Sequence, residues 1–308
     1  MRTDWIPCEL ITAGNRTLVK WVHPGTRPLF SEPFFHQTID ALVRANAVQK
    51  LTALDDLQAV APVNTPKGFV FHVSRCGSTL VSRSLAGVPR HRVISEPAPL
   101  NQLLLAQNID PLLRGPLLKG LIHSLCGTQA GAACFIKFTS WNLLFLEQLL
   151  KLFPTTPWVF VYREPADVLD SLIARPARWA SDSQLLGRLH GGSGGGVDVD
   201  TMAAILERLF RAPLPHFDGR ALAIGYAQLP NAVLDIARHF DLGSSAAEHA
   251  QMLRMGQFDA KQGGEVPFRA RVRAPVSDAM ALAIAQLNPL FDQWEASRKD
   301  SSRVGANA

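Results

Sequence analysis

Two stretches of this chain share one local pattern: an apolar run, a polar turn carrying an arginine, then a helix-forming segment. The first is GFVFHVSRCGSTLVSRSLAG, from Gly68 to Gly87, and the second is WVFVYREPADVLDSLI, from Trp158 to Ile173. In the first, the turn is Arg75-Cys76-Gly77-Ser78-Thr79. In the second, Arg163 closes the strand, Pro165 opens the helix and Ser171 follows. Strand-to-helix turns of small residues hold anions, because free backbone N–H groups and the helix dipole converge on one point. Two such turns, each with an arginine, suit a ligand with two anionic ends.

From Gly68 onward, strand-like and helix-like runs alternate. Strands are expected at 69–74, 92–95, 133–138, 157–162 and 221–225, and helices at 78–87, 97–107, 111–125, 141–152, 165–174, 201–211, 230–241 and 277–297. This alternation predicts an α/β fold, a parallel sheet flanked by helices. Ligands of such sheets bind beyond the carboxyl ends of the strands. Arg75, Glu96, Lys137, Arg163 and Tyr226 each stand at or next to the expected end of a different strand.

The first turn is not a phosphate loop of the G-x-x-x-x-G-K-[ST] type, whose lysine reaches the terminal phosphates. Gly77-Ser78-Thr79 has no lysine before its hydroxyls, and Arg75 precedes the glycine. This argues against an ordinary ATPase or kinase.

R-x-G-S-T-L after a strand, followed by a strand ending V-x-V-x-R-x-P-x-D-V-x-x-S, resembles the sulfotransferase family, whose donor is 3′-phosphoadenosine 5′-phosphosulfate (PAPS). The likeness runs from Gly68 to Leu242, with a fainter echo near Lys261. It implies a P-loop NTPase-like sulfotransferase fold. It also implies that Arg75, Cys76, Gly77, Ser78 and Thr79 hold the 5′-phosphosulfate, and that Arg163 and Ser171 hold the 3′-phosphate. Tyr226 corresponds to the tyrosine of the family's Y-E-D-L segment, which lies near adenine, although Ala227 and Gln228 depart from its two acids. Leu80 replaces the loop tryptophan that stacks on adenine in cytosolic members. Lys261-Gln262-Gly263-Gly264 is similar to the late basic loop that closes over the 3′-phosphate.

Sulfuryl transfer is an in-line displacement. The protein positions the reactants and neutralises charge on the leaving phosphate, and cationic side chains suffice without a metal. Arg75 is expected to stabilise the leaving group electrostatically, because a guanidinium is a good fork for phosphate and a poor proton donor. The third strand carries no histidine base. Glu96, in Ser95-Glu96-Pro97, matches the family branch with a glutamate after the second strand, and is the expected base. The other reading of Glu96 is an acid favouring a helix N-terminus. Lys137 ends an apolar strand, where a lysine either meets an anionic partner near the sulfuryl group or reaches along its stem to solvent.

The remaining features bound the setting. The 308 residues, 47% hydrophobic, suffice for one large α/β domain. The net charge of +5 is scattered, with no dense basic stripe for nucleic acid. Four cysteines without metal spacing, and no histidine cluster, suggest free thiols in a reducing compartment and no metal. The N-terminal residues lack a signal-peptide core, and no run has the ~20 apolar residues of a membrane helix. A cytoplasmic, bacterial protein is the expectation.

Residues 1–66 form a different kind of sequence, expected as a small α+β segment. It has a strand at Thr17–Val22, a helix at Pro33–Ala47 with Phe34, Ile39, Leu42 and Val43 toward a core, and a linker at Pro62–Gly68. It suits either an appended domain or a cap over an acceptor site. Residues 67–298 form the sulfotransferase-like domain, and 299–308 a disordered tail. Gly187–Asp200 reads as a flexible loop, either gating the site or a surface insertion. The pattern suits a small-molecule, carbohydrate, lipid or peptide acceptor and leaves the oligomeric state open. A P-loop kinase or nucleotide hydrolase, and a non-catalytic binding protein on the same fold, remain the rival readings.

Overall fold

The computed structural model describes residues 5–14, 16–26, 30–129, 131–191, 196–258 and 276–306, with side chains to residue 299. Strands β1 (Ile6–Ala13), β2 (Arg16–Val22) and β3 (Gln49–Ala53) form an antiparallel sheet in the order β1-β2-β3, with helix α1 (Phe35–Arg44) between the last two. The second sheet holds β4 (Pro66–His72), β5 (His91–Ser95), β6 (Ala133–Lys137), β7 (Trp158–Tyr162) and β8 (Ala221–Gly225). Its order is β5-β6-β4-β7-β8, and every pair is parallel. Helices α2 (Ser78–Ala86), α3 (Ala98–Leu105), α4 (Pro111–Cys126), α5 (Leu146–Leu152), α6 (Pro165–Ala174), α7 (Ser183–His190), α8 (Val199–Arg211), α9 (Val233–His239), α10 (Ala246–Met255) and α11 (Asp278–Ala306) accompany the strands. The fold is the α/β architecture expected from the alternation.

The central strands are apolar along their whole length because helices cover both faces. Every residue of β7 is buried, as are Phe69, Val70 and Phe71 of β4. Phe71 stacks on Phe138 at 4.4 Å, and Trp158 meets Phe71 edge-on at 6.0 Å. Full burial of such side chains is worth about 1.5–3 kcal/mol each. α11 closes the β7–β8 side. Trp294 donates its indole N–H to Phe210 O at 2.9 Å, and Tyr162 donates its hydroxyl to Glu295 Oε1 at 2.6 Å.

The N-terminal segment is fastened to this core. Gln102 of α3 accepts from Leu10 N at 2.7 Å and donates to Leu10 O at 3.2 Å, pairing with β1 as a strand would. The 3-10 turn at Leu54–Ala59 lies directly on α4: a Cβ at Gly120 would stand 1.9 Å from Leu57 O. Phe30 stacks under the Arg92 guanidinium at 4.7 Å.

Several expectations are corrected. The stretch read as a linker already contains the start of β4 at Pro66, and Asn64 is held by the carbonyls of Gly127 (3.1 Å) and Gln129 (2.8 Å). Helix α1 turns Phe35, Thr38 and Leu42 inward, leaving Val43 exposed and Phe34 outside that core. The expected helix at 141–152 begins as a 3-10 turn, Ser140–Phe145. The stretch read as a glycine loop begins in α7, which Asp182 caps by accepting from Gln184 N and Leu185 N at 3.0 Å each, and ends in α8. The backbone of α11 continues to Ala306, through most of the stretch expected as a tail.

Two glycines of α4 separate close approach from mere permissiveness. Gly120→Ala is expected to lower the urea-unfolding free energy by about 1–3 kcal/mol, since the methyl meets a backbone carbonyl that cannot swing aside. At Gly115 the added Cβ meets only Leu152 Cδ2 at 3.4 Å, so Gly115→Ala is expected to raise stability by up to about 1 kcal/mol through helix propensity. Equal effects would show that the Leu57–Gly120 approach does not constrain the fold.

Candidate functional site

Strand order and register bring the sequence-marked residues onto one edge. Ser95 pairs with Lys137 and Tyr162 with Gly225, so Glu96, Arg163 and Tyr226 leave the sheet at a common level. Reading across, the row is Glu96 (after β5), Lys137 (β6), the Arg75 turn (after β4), Arg163 (after β7) and Tyr226 (after β8). Four spacings of about 4.8 Å make the row roughly 19 Å long. The chain leaves β4 toward β5 on one side and leaves β7 toward β8 on the other. The crevice between β4 and β7 is therefore the switch point where open α/β sheets take ligands. Both arginine turns border it.

One end of the row is built on a buried lysine. The Lys137 side chain is 1% exposed, and its ammonium pairs with Glu96 Oε1. It does not reach along its stem to solvent. Glu96 is held by a 2.7 Å bond from its N–H to Lys137 O, and its φ of 59° is left-handed. Such a backbone costs a non-glycine residue of order 1–3 kcal/mol and persists only where surroundings enforce it. His72 ends β4 beside this pair. Its Nε2 donates to Phe138 O at 2.9 Å and lies 3.9 Å from Glu96 Oε1. Burial first, and the Lys137 charge second, hold its pKa down to about 3, so the ring is neutral.

Two residues of the N-terminal segment complete this end. The Phe34 ring lies 5.3 Å from Lys137 Nζ and stacks on His36 at 5.8 Å. Burial, and next the Arg178 charge, hold His36 below its ordinary pKa. The sequence pattern turns Phe34 toward a core and gives His36 no role. The available signal was Phe34-Phe35 itself, since adjacent residues of a helix start point in different directions.

The first turn places Gly77 at φ 85°, the left-handed position that opens α2. A Cβ there would stand 2.8 Å from Leu229 Cδ1 and 2.9 Å from Tyr226 Cδ2. Gly77 therefore permits both the turn and the approach of Tyr226. Ser78 and Thr79 are nearly buried at the first turn of α2, and Leu80 is half-buried against the core. The Cys76 thiol donates to Val161 O at 3.1 Å, and burial pushes its pKa up to about 11. Arg75 is also left-handed, at φ 60°. Its Nη2 donates to the carbonyls of Arg175 and Pro176 at the end of α6, and its Nε is buried without a hydrogen-bond partner among the described residues. Burial and the neighbouring Arg175 lower its pKa from the ordinary value. A desolvated guanidinium with a spare buried donor fits an anion at this turn.

The second turn is tied to the first. Arg163 Nη1 donates to Arg75 O at 3.4 Å, while Nε and Nη2 donate to Asp167 Oδ2 at 3.0 and 2.9 Å. The guanidinium lies over the Tyr226 ring, 4.0 Å from its centroid. Asp167 sits in the first turn of α6 behind Pro165, where its charge also favours the helix dipole. Ser171 is half-buried four residues further along, on the same helix face, and no described hydrogen bond joins it to Arg163. Lys261 lies outside the described residues. Among the described residues, no group of three or more His, Cys, Asp and Glu is placed to hold a metal ion, and no helix is long and apolar enough to cross a membrane.

His72 gives a test of the lysine-centred end. Between pH 6.5 and about 3 the unfolded chain binds a proton at residue 72 that the folded chain refuses. The stability from neutral His72 is thus complete above pH 6.5 and is lost as pH falls toward 3. His72→Gln is expected to flatten the pH dependence of urea-unfolding free energy across that window by about one proton. An unchanged slope would mean that His72 titrates normally.

No protein-family model matches the sequence, and no curated protein does. Solved structures align with the fold. A sulfotransferase, STF9, from Mycobacterium avium is 16% identical with a TM-score of 0.47, over 89% of this chain and 88% of that one. A sulfotransferase from Alicyclobacillus acidocaldarius is 14% identical with a TM-score of 0.45, over 77% and 96%. Mouse sulfotransferase SULT7A1, solved with 3′-phosphoadenosine 5′-phosphate (PAP), is 15% identical with a TM-score of 0.41, over 82% and 90%.

Proposed function

We propose that this chain transfers the sulfuryl group of PAPS to an acceptor hydroxyl or amine, with Glu96 as base and Arg75 stabilising the leaving phosphate. The observation that carries the reading is the junction of the two turns. Arg163 hydrogen-bonds the backbone of Arg75 at 3.4 Å, at the switch point of the sheet, with the Glu96–Lys137 pair on the two strands beyond. A donor with a 5′-phosphosulfate on the Arg75 turn and a 3′-phosphate at Arg163 and Ser171 would direct its sulfur toward Glu96.

In that arrangement the acceptor oxygen bonds to sulfur as the bond from sulfur to the 5′-phosphate oxygen breaks. The acceptor proton goes to Glu96, and the electron pair stays on the phosphate. Arg75 and the first-turn N–H groups of α2 face the charge that grows there, and Lys137 presents its ammonium from the neighbouring strand. Tyr226 sets the plane of Arg163 and stands where an adenine ring would pass. Lys261 would add charge over the 3′-phosphate. The segment 1–66 would cap the acceptor side, which suits a small molecule, carbohydrate, lipid or peptide.

Calorimetric titration tests the donor site. PAP is expected to bind selectively over magnesium–ATP and adenosine 5′-phosphate, and Arg163→Ala to weaken it roughly ten- to hundredfold, the worth of charged hydrogen bonds. Selective binding of magnesium–ATP would move the assignment to a kinase or nucleotide hydrolase. Absence of nucleotide binding by the folded protein would point to a binding protein. Glu96→Gln is expected to leave PAP affinity nearly intact while lowering the transfer rate about 10²–10⁴-fold. It should also cost about 3 kcal/mol of stability, because Lys137 loses its counter-ion.

A further inference from the structure

We infer that Phe34 is a specificity-determining residue of the transfer site: its ring keeps water off the Glu96–Lys137 pair, so that a seated acceptor and not solvent receives the sulfuryl group. The inference rests on the PAPS reading above and assigns the N-terminal segment a chemical task.

The placement of Phe34 is specific. Its neighbour Phe35 is 1% exposed and stacks on Phe30 at 5.9 Å, inside the segment's own core. Phe34 turns the other way, over the Lys137 ammonium. It is the residue that starts α1, and a reciprocal pair of bonds fixes it there. Its N–H donates to Gln37 Oε1 at 3.1 Å, and Gln37 N–H donates to Phe34 O at 3.1 Å. The segment behind it is held by the Leu10–Gln102 bonds and the contact of Leu57 with Gly120. Phe34 is thus a fixed wall, set by the N-terminal segment.

The two members of the pair differ in exposure. Lys137 is 1% exposed, whereas the Glu96 side chain is 28% exposed. The open side of Glu96 is where an acceptor arrives, and the ring closes the lysine side. A carboxylate with free access to water would activate that water as readily as an alcohol. The oxygen of water would bond to sulfur and its proton would go to Glu96. The bond from sulfur to the 5′-phosphate oxygen would break with its electron pair on the phosphate, giving PAP and sulfate. No further reactant is needed. An aromatic ring beside the pair offers water no hydrogen-bond partner, which makes that position costly for it.

The test needs no knowledge of the acceptor. Release of PAP and sulfate from PAPS alone is followed for the full chain, with PAP affinity measured in parallel. Phe34→Ala is expected to raise acceptor-independent release about tenfold, a barrier change of about 1.4 kcal/mol, with PAP affinity unchanged. Should Phe34→Ala fail to fold, Phe34→Val is expected to give a smaller rise of about threefold. Phe34→Trp, which refills the space, should return release to the wild-type level. Adding Glu96→Gln to Phe34→Ala should abolish the rise. Damage to folding alone would lower release, so a gain separates shielding from a structural role. A folded Phe34→Ala chain that binds PAP yet releases it no faster overturns the inference, as does a rise that survives Glu96→Gln. Failure of the wild type to bind PAP overturns the donor reading itself, and the inference with it.

Discussion

A lysine ammonium buried at the end of a central strand has to be neutralised, and much of the candidate site follows from that requirement. Lys137 is enclosed on the sheet side by β4 and β5 and overhead by Phe34, so the carboxylate must come to it. Glu96 does so from the adjacent strand by leaving β5 in a left-handed conformation. That strain is modest beside the several kcal/mol that an unpaired buried charge would cost. Burial, and next the same charge, disfavours a proton on His72, which then serves as a neutral donor to Phe138 O. Counter-ion, strained backbone and neutral imidazole form one connected solution.

The cationic half of the row is organised by different means. Arg163 divides its donors between Asp167 and the backbone of the other turn, with Tyr226 beneath its plane. Arg75 leans on the carbonyls that end α6, where the helix dipole is negative. Each arginine is therefore fixed by acceptors that leave part of its donor set available. This is the preorganisation that an anion-binding crevice needs, since little side-chain entropy remains to be lost on binding.

Most of the strand ends were legible because the physics there is local. A buried parallel strand must be apolar on both faces, and the polar residue that stops it marks its carboxyl end. β5, β6, β7 and β8 could thus be read nearly to the residue. β1 and β3 could not. β3 alternates exposed and half-buried residues without a fully buried one, and β1 opens with three consecutive buried residues and shows no alternation. α7 was hidden by Gly187 in its middle, although Asp182 caps it. At the site, Arg75, Glu96, Lys137, Arg163 and Tyr226 were legible as strand-end residues, whereas their partners were not. Phe34 and His72 reach Lys137 and Glu96 through contacts that span tens of positions in the chain, and no local pattern encodes those. Ser171 was placed by resemblance, and the fold brings it to the face of Asp167 without a bond to Arg163.

The hydrogen bond from Arg163 to the carbonyl of Arg75 joins the two turns, so as anion receptors they would not be independent. An anion that draws Arg163 forward also pulls on the backbone whose left-handed twist shapes the other turn. Occupancy at one end would then alter the free energy of occupancy at the other, and by reciprocity the reverse would hold to the same degree. A bisanionic ligand would be sensed as a whole, whereas two separate monoanions of equal charge would not reproduce it. Selectivity for such a ligand would then come from the spacing between its charges as much as from their number.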